Sequence, residues 1–359
     1  MLPRCLATER VHEAAGVIEE ISYDPLGVVG CVSAWNYPYF VGGNVFIPAL
    51  LTGNAVLYKP SEIATLTGLE IEGRLAEAGA PRGIFRTLVG DAAVGRMLVQ
   101  ADVDAMFFTG SVATGQAISR ELGGRMLPLQ LELGGKDAVY VCDDAPIDRV
   151  ARAVADGAFY NTGQSCCSVE RVYVHASVHD EFLREMRAVT EAFVVGDPRD
   201  ERTYIGPLAR AGQRPVLERQ IADAVARGGR VLCGGDTDGQ GCLRPTIVVG
   251  APNDADLLQE ESFGPVVAIN AVEDDATAVS QMNDSRFGLT ASVYTPSEAR
   301  ARAILAQLDV GSAYWNTCDR VSPRLPWSGR RDSGIGLTLS HLGVRAFTRP
   351  RAWHLVQAP

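Results

Sequence analysis

The chain has 359 residues, with 33 basic and 43 acidic side chains and a net charge of −10. Hydrophobic residues make up 47% and charged residues 21%, which is the composition of a folded globular protein rather than a disordered one. At roughly 150 residues per domain, the length predicts two domains or three small ones. The acidic balance argues against a nucleic-acid partner, because a phosphate backbone needs a basic face.

A charge-free stretch over residues 25–58 is long enough to raise the question of a membrane span. It contains Pro38, Pro48 and the pair Gly42–Gly43, which a spanning helix would have to bury in lipid, so no membrane partner is predicted. The eight cysteines show no CxxC pair and no histidine at metal-ligand spacing, so we predict no metal site. Scattered cysteines without a secretory signal favour free thiols in a reducing, cytoplasmic compartment.

Apolar runs rich in β-branched residues alternate with helical periodicity along the whole chain. The first half is predicted as strand 27–35, helix 41–51, strand 54–60, helix 63–78, strand 85–90, helix 92–99, strand 103–110, helix 113–121 and an apolar segment over 128–142. The second half is predicted as helix 147–160, strand 169–177, helices 179–193 and 211–227, three short strands, helix 274–283, strand 289–295, helix 298–308 and a lone strand over 348–357. Repeated strand–helix–strand units predict parallel sheets flanked by helices, in two α/β layers that join near residues 133–145.

Two motifs carry candidate chemistry near the centre of the chain. NTGQSCCSVE (161–170) sets Cys166 and Cys167 among small and polar residues between a helix and a strand, where a thiol can face a cleft. Taken alone, two small buried hydrophobes are the commoner explanation of such a pair. LELGGKD (131–137) puts Glu132 in an apolar strand, where a carboxylate is either part of a structural salt bridge or a general base with a raised pKa.

Further polar residues follow predicted strands. Asn36 in AWNYP could donate to an oxyanion or cap a helix. Lys59 and Glu62 in KPSE could hold a ribose or be an ordinary solvated pair at a helix start. FFTGSVATG (107–115) has the strand–turn–helix pattern that offers free N–H groups to a phosphate, although GxGxxG occurs nowhere in the chain. EESFGPV (260–266) adds two carboxylates before an aromatic residue and a Gly–Pro turn.

In chain order these motifs, together with PWSGRRDSG, strongly resemble the aldehyde dehydrogenase superfamily over about residues 22–353. The resemblance implies that Cys166 is the nucleophile, Glu132 the general base and Asn36 the oxyanion donor. It also implies an NAD-dependent oxidation of an aldehyde to a carboxylic acid through a thioester. The residues it implies for cofactor binding are Trp35, Lys59, Glu62, Gly110, Ser111, Gly115 (at the end of its turn), Glu261 and Phe263.

The same resemblance implies an α/β fold in three parts. A Rossmann-type, parallel-sheet cofactor domain, shortened at its N-terminus, is expected over residues 1–133, with an oligomerisation hairpin near 18–33. An α/β catalytic domain is expected over 134–344 and a C-terminal oligomerisation strand over 345–359. A homodimer or homotetramer follows, because a lone edge strand is costly to leave unpaired.

Cofactor choice and substrate are less constrained. The Glu62 carboxylate can accept hydrogen bonds from ribose hydroxyls but repels a 2′-phosphate, so NAD is predicted over NADP. Tyr37, Tyr160 and Trp327 are candidates for the substrate pocket, which favours an apolar or aromatic aldehyde. A semialdehyde held by an arginine near PWSGRRDSG stays open. Two other functions also stay open: a CoA-acylating dehydrogenase, and a weakly active homologue with a shortened cofactor domain.

Overall fold

A computed structural model describes residues 5–239 and 241–357. They divide into two compact units, and the chain passes from one to the other between Leu133 and Gly134. Unit 1 contains the described residues before that point, together with 321–328 and those from 334 onward. Unit 2 contains residues 134–320 and 329–333. The division differs from the predicted one at the C-terminal side, where much of the expected catalytic domain beyond 320 belongs to unit 1.

The N-terminal part of unit 1 alternates strands and helices closely as the sequence patterns predict. From residue 28 onward its strands are largely apolar, with β-branched and aromatic residues, and their side chains are mostly buried because helices cover that sheet. The first two strands are instead exposed or half-buried. The elements are β1 (Glu9–Ala14), β2 (Val17–Pro25), β3 (Val28–Val32), α1 (Phe40–Leu51), β4 (Ala55–Lys59), a 3₁₀ turn (Glu62–Ala64), α2 (Thr65–Glu77), β5 (Phe85–Thr87), α3 (Ala92–Gln100), β6 (Ala105–Thr109), α4 (Val112–Leu122) and β7 (Leu129–Glu132).

Unit 2 continues the alternation. The predicted apolar segment over 128–142 is two strands in different sheets, because Gly134–Gly135 interrupts it. The elements are β8 (Asp137–Val141), α5 (Ile147–Phe159), a 3₁₀ turn (Tyr160–Gly163), β9 (Val169–His175), a 3₁₀ turn (Ala176–Val178), α6 (His179–Glu191), α7 (Gln213–Ala226), β10 (Arg230–Cys233), β11 (Thr246–Val249), α8 (Asp256–Gln259), β12 (Val266–Val272), α9 (Asp275–Asn283), β13 (Phe287–Gly288), β14 (Thr290–Tyr294), α10 (Glu298–Leu305), β15 (Ser312–Trp315) and β16 (Arg330–Arg331).

The C-terminal segment returns to unit 1 as β17 (Gly334–Ile335), α11 (Ser340–Arg345) and β18 (Thr348–Val356). Phe347 packs this segment against the sheet of unit 1: it is fully buried and stacks on Phe107 of β6, with ring centroids 4.4 Å apart. The hairpin lies earlier than the predicted 18–33. Its strands are β1 and β2, and they turn at Ala15 and Gly16, whose φ values of 50° and 80° suit a tight hairpin turn.

Each unit has a mainly parallel sheet, which confirms the predicted α/β fold class. The six-stranded sheet of unit 1 has the order β17-β7-β6-β3-β4-β5, in which only β17 is antiparallel to its neighbour. The seven-stranded sheet of unit 2 has the order β10-β11-β12-β9-β8-β14-β15, in which only β10 is antiparallel. β18 pairs with β2 inside the chain, in a separate antiparallel sheet ordered β1-β2-β18. Within the described residues, no helix is long and apolar enough to cross a membrane.

Candidate active site

In unit 1 the candidate residues follow the carboxyl ends of four neighbouring parallel strands. The register aligns these ends: Val32 of β3 pairs with Lys59 of β4, and Thr109 of β6 pairs with Glu132 of β7. Asn36, Glu62 and Ser111 lie just beyond β3, β4 and β6 respectively. Ligands of open α/β sheets bind at this edge, because loops and helix N-termini converge there. Parallel pairing therefore collects residues that the chain separates by up to 96 positions.

Glu132 ends β7 and is 6% exposed. Gln130 donates a hydrogen bond from Nε2 to Glu132 Oε1 at 2.9 Å, and the Trp327 side chain also hydrogen-bonds this carboxyl group. Burial raises the pKa of Glu132 well above its usual value, and the two hydrogen bonds oppose that effect only in part. Glu132 Oε2 has no hydrogen-bond partner in the described part of the chain. These surroundings suit a general base better than a structural salt bridge.

The segment around Asn36 joins β3 to α1. Trp35, Asn36 and Tyr37 are all half-buried, so their side chains are neither sealed in the core nor free in solvent. The Tyr37 carbonyl accepts hydrogen bonds from the N–H groups of Phe40 and Val41 at 3.0 and 2.9 Å, which fixes the turn into α1. A half-buried amide on a braced turn can hold an oxyanion, because little reorganisation is needed when charge develops.

Lys59 ends β4 and Glu62 begins the following 3₁₀ turn, and the two side chains have different environments. Lys59 is 4% exposed, and burial lowers its pKa, although the Glu62 carboxylate opposes that shift. Lys59 Nζ donates to the Pro60 carbonyl oxygen at 3.1 Å and lies 4.0 Å from Glu62 Oε2. The Glu62 side chain is more than half exposed, so its carboxylate can meet a polar ligand.

The turn from β6 into α4 is capped by a serine and contains a closely packed glycine. Ser111 is the N-cap of α4, and its Oγ accepts from Thr114 N at 3.4 Å. A Cβ at Gly110 would lie 2.6 Å from Phe108, and one at Gly115 would lie 2.5 Å from Leu133. Glycine at these two positions therefore lets the turn and the first part of α4 pack close to the sheet. Gly115 is inside α4 rather than at the end of the turn, which corrects the prediction. The N-terminus of a helix after a strand is a position where backbone N–H groups can hold an anion such as a pyrophosphate.

Unit 2 presents the candidate thiol. Cys166 is half-buried just before β9, whereas Cys167 is 3% exposed. The preceding turn is strained: Asn161 and Thr162, which are not glycines, have φ values of 52° and 60°. Gly163 follows with a φ of 68°, and a Cβ there would lie 2.2 Å from the Gly264 carbonyl oxygen. Strain at a braced loop of this kind is typical of functional sites.

The Cys167 thiol is buried and hydrogen-bonded to a neighbouring side chain. Its Sγ donates to Asp319 Oδ1 at 2.8 Å, and Ser165 Oγ donates to the same oxygen at 3.2 Å. The pKa of the Cys167 thiol is well above its usual value because of its hydrogen bond with Cys166 and its burial. Cys167 is therefore a protonated thiol at neutral pH. Asp319 was not predicted, because 152 residues separate it from Cys167 and it belongs to none of the motifs.

Glu261 and Phe263 precede β12 in unit 2. Gly135 N donates to Glu261 Oε1 at 3.3 Å, and a Cβ at Gly134 would lie 2.3 Å from the Glu261 carboxylate. Glycine at position 134 is thus what admits this carboxylate. Burial, followed by the nearby Glu170 carboxylate, raises the pKa of Glu261 to about 8. Phe263 has a φ of 50°, a further strained residue.

The remaining pocket candidates differ in exposure. Trp327 is 8% exposed in unit 1 and bonds Glu132, so its indole has a role beyond lining a pocket. Tyr160 is 50% exposed in unit 2, at the start of the strained turn before Cys166. Across the described residues, no cluster of three or more His, Cys, Asp or Glu side chains could hold a metal ion.

Comparison with known proteins gives consistent matches. The model of the aldehyde dehydrogenase family matches residues 2–353. A betaine aldehyde dehydrogenase from Rhizobium etli is 37% identical over 341 residues, which are 93% of this chain and 70% of that protein.

Solved structures share the fold. PnpE in complex with nicotinamide adenine dinucleotide superposes with a TM-score of 0.95 at 32% identity, covering 99% of this chain and 74% of that one. An NADP-dependent enzyme from Escherichia coli superposes with a TM-score of 0.96 at 27% identity, covering 99% and 75%. Of these two structural neighbours, one is thus described with NAD and the other as NADP-dependent.

Proposed function

The chain belongs to the aldehyde dehydrogenase family, and we propose that it oxidises an aldehyde to a carboxylic acid with NAD through a thioester on Cys166. The observation that carries this proposal is the contrast between two adjacent cysteines. Cys166 is half-buried on a braced, strained loop, while Cys167 is buried and bound to Asp319. Only the first of them is available to an incoming carbonyl group.

The first chemical step uses Cys166 and Asn36. The Cys166 thiolate attacks the aldehyde carbon, a C–S bond forms, and the carbonyl π electrons move to oxygen. The Asn36 side-chain amide and the Cys166 backbone N–H donate hydrogen bonds to that oxyanion. The loss of one such donor typically lowers the rate by roughly 10²–10³, about 3–4 kcal/mol.

The residue types assigned to the cofactor are those that a nicotinamide dinucleotide would need. The N-terminus of α4 with Ser111 would hold the pyrophosphate, Lys59 and Glu62 the adenosine ribose, and Glu261 and Phe263 the nicotinamide ribose. A bound nicotinamide ring supplies the hydride acceptor that no protein side chain can provide. We propose NAD over NADP, because the exposed Glu62 carboxylate repels a 2′-phosphate.

Glu132 completes the cycle. Its carboxylate takes a proton from water, and the resulting hydroxide attacks the thioester carbon. The C–S bond breaks, and Cys166 leaves as a thiolate while the carboxylic acid forms. The buried site of Glu132 favours this role because its raised pKa makes the carboxylate a stronger base than an exposed one. This base also favours hydrolysis over transfer of the acyl group to CoA.

The test compares two matched variants with the unmodified chain. We expect Cys166→Ala to abolish NAD-dependent oxidation, to at most about 10⁻⁴ of the original rate, because no nucleophile replaces the thiol. Cys167→Ala is the control and should keep activity within a few-fold. The first substrate to assay is betaine aldehyde, because a relative of this chain is a betaine aldehyde dehydrogenase. Aromatic aldehydes and semialdehydes follow.

Each alternative outcome is recognisable. Equal activity of Cys166→Ala and the unmodified chain would overturn the proposal. Formation of acyl-CoA in place of the free acid, when CoA is added, would indicate the CoA-acylating route instead. A folded chain that binds no NADH by fluorescence would indicate a homologue without this activity.

The free state of all eight cysteines supports a reducing, cytoplasmic setting for the enzyme.

A further inference from the structure

A buried ion pair lies in unit 2 outside the residues assigned to catalysis. Glu170 is four residues after Cys166, in β9, and is 2% exposed. Lys136 is two residues after Gly134 and is 1% exposed. Lys136 Nζ donates to Glu170 Oε2 and, at 2.9 Å, to Ser262 Oγ. Buried charges are rare, and this pair has no role in the reaction described above.

The Glu170 carboxylate is turned toward the segment Glu260–Gly264, here called the cofactor loop. Ser262 N donates to Glu170 Oε2 at 2.8 Å and to Oε1 at 3.1 Å. Phe263 N donates to Oε1 at 2.9 Å. Two successive backbone N–H groups are therefore held by one carboxylate, and bonds of this charged kind are about twice as strong as neutral ones.

The carbonyl groups of the same loop are held from another element. Gln220 Nε2 in α7 donates to the carbonyl oxygens of Glu260 and Glu261 at 3.2 and 3.3 Å. Gln213 Nε2, also in α7, donates to the Ser262 carbonyl oxygen at 2.5 Å. The loop is thus fixed on both sides, although Phe263 has a strained φ of 50°. A left-handed residue other than glycine persists only where its surroundings over-determine it.

We propose that Glu170, charge-balanced by Lys136, is a positioning residue that pre-orders the cofactor loop for the nicotinamide end of the dinucleotide. This inference rests on the proposed function, because Glu261 and Phe263 are assigned to the nicotinamide ribose. Glu170 touches neither ribose nor substrate in this scheme; it acts through the backbone of Ser262 and Phe263. A buried ion pair is weak evidence for stability, whereas its directed hydrogen bonds fix one conformation.

Three variants separate positioning from stability. Glu170→Leu combined with Lys136→Met removes both charges and keeps the volume, so no unpaired charge is left in the core. Glu170→Gln keeps one carbonyl oxygen for the loop N–H groups and should give an intermediate result. Asp275→Asn is the matched control. It weakens the ion pair of Asp275 with Arg300 in the same unit, and among the described residues neither of the two hydrogen-bonds the cofactor loop.

Two measurements are made on each variant. Hydrogen exchange of the Ser262 and Phe263 amides, without cofactor, reports the loop directly. Steady-state kinetics and NADH fluorescence report cofactor binding. For the double variant we expect faster exchange at both amides and a KM for NAD and Kd for NADH raised roughly tenfold, equivalent to about 1.4 kcal/mol. The aldehyde KM should change much less, and Asp275→Asn should leave all these quantities within twofold.

The outcomes distinguish the two proposals. Unchanged exchange and unchanged NAD binding in a folded double variant would overturn the positioning role. So would an equal rise of KM in Asp275→Asn, since that would indicate general destabilisation. If the unmodified chain neither binds NADH nor oxidises aldehydes, the proposed function fails. The exchange of the Ser262 and Phe263 amides still tests whether Glu170 holds the loop, while the positioning role falls with that function.

Discussion

Glu132 is a buried carboxyl group whose environment determines when it can lose its proton. Glu132→Gln removes the proposed general base and keeps the shape of the side chain, so we expect thioester formation to proceed and its hydrolysis to become very slow. The measurement is rapid-mixing absorbance of NADH. A burst of about one equivalent per active site, followed by a steady rate lowered by roughly 10²-fold or more, is expected. Full loss of the burst would place Glu132 in the first step instead.

The same carboxyl group predicts a pH dependence of stability. Its folded-state pKa is raised, so the folded state holds a proton that the unfolded state releases above about pH 4.3. Stability from this group is therefore present at low pH and falls as the pH rises toward the raised pKa. We expect the free energy of unfolding of Glu132→Gln to exceed that of the unmodified chain by a margin that grows from pH 5 to pH 8. A constant difference across this range would contradict the raised pKa.

The Glu62 side chain also predicts which cofactor the chain prefers. The Glu62 carboxylate is exposed enough to meet a 2′-phosphate. We expect Glu62→Gln to improve kcat/KM for NADP by roughly tenfold, because a repulsion between like charges is removed. The change for NAD should be smaller and in the opposite direction. Equal kcat/KM values for NADP in both forms would show that another residue selects the cofactor.

At the scale of elements, the turn before β9 depends on close backbone contact. We expect Gly163→Ala to lower the free energy of unfolding by roughly 3 kcal/mol or more, because a Cβ would lie 2.2 Å from the Gly264 carbonyl oxygen and neither backbone can yield cheaply. Denaturant unfolding measures the change. Gly228→Ala is the control: its φ is 104°, but nothing lies within 4 Å, so about 1–2 kcal/mol is expected. Similar losses in both variants would attribute the effect to φ alone.

The three-stranded sheet of unit 1 predicts self-association of the chain. β18 lies at the edge of that sheet, and Trp353, Leu355 and Val356 on it are 38%, 44% and 65% exposed. An exposed apolar edge strand invites pairing with another chain, so we expect a dimer or tetramer. Analytical ultracentrifugation over a dilution series gives the mass in solution. A monodisperse monomer at micromolar concentration would contradict this prediction.

Local sequence patterns predicted most of the helices and strands because hydrophobic periodicity and glycine positions act over a few residues. They missed β1, β2, β15, the two-residue strands and the short helices α8 and α11, which are short or lie near the surface and have weak apolar patterns. They also failed to separate β7 from β8, whose strands read as one apolar segment although they belong to different sheets.

The amino-acid sequence alone was enough to select Cys166, Glu132 and Asn36 as candidates for the proposed chemistry, because each lies in a short local motif. The difference between the two cysteines is visible only in the fold: Cys167 is buried and donates to Asp319, which is distant in the chain, whereas Cys166 is half-buried. The fold likewise brings Gln130 and Trp327 into hydrogen bonds with Glu132. It also places Glu170 where its carboxylate accepts hydrogen bonds from the cofactor loop, and no sequence motif indicated that contact. Burial and hydrogen bonding depend on what the fold brings together, and no pattern within a single segment records them.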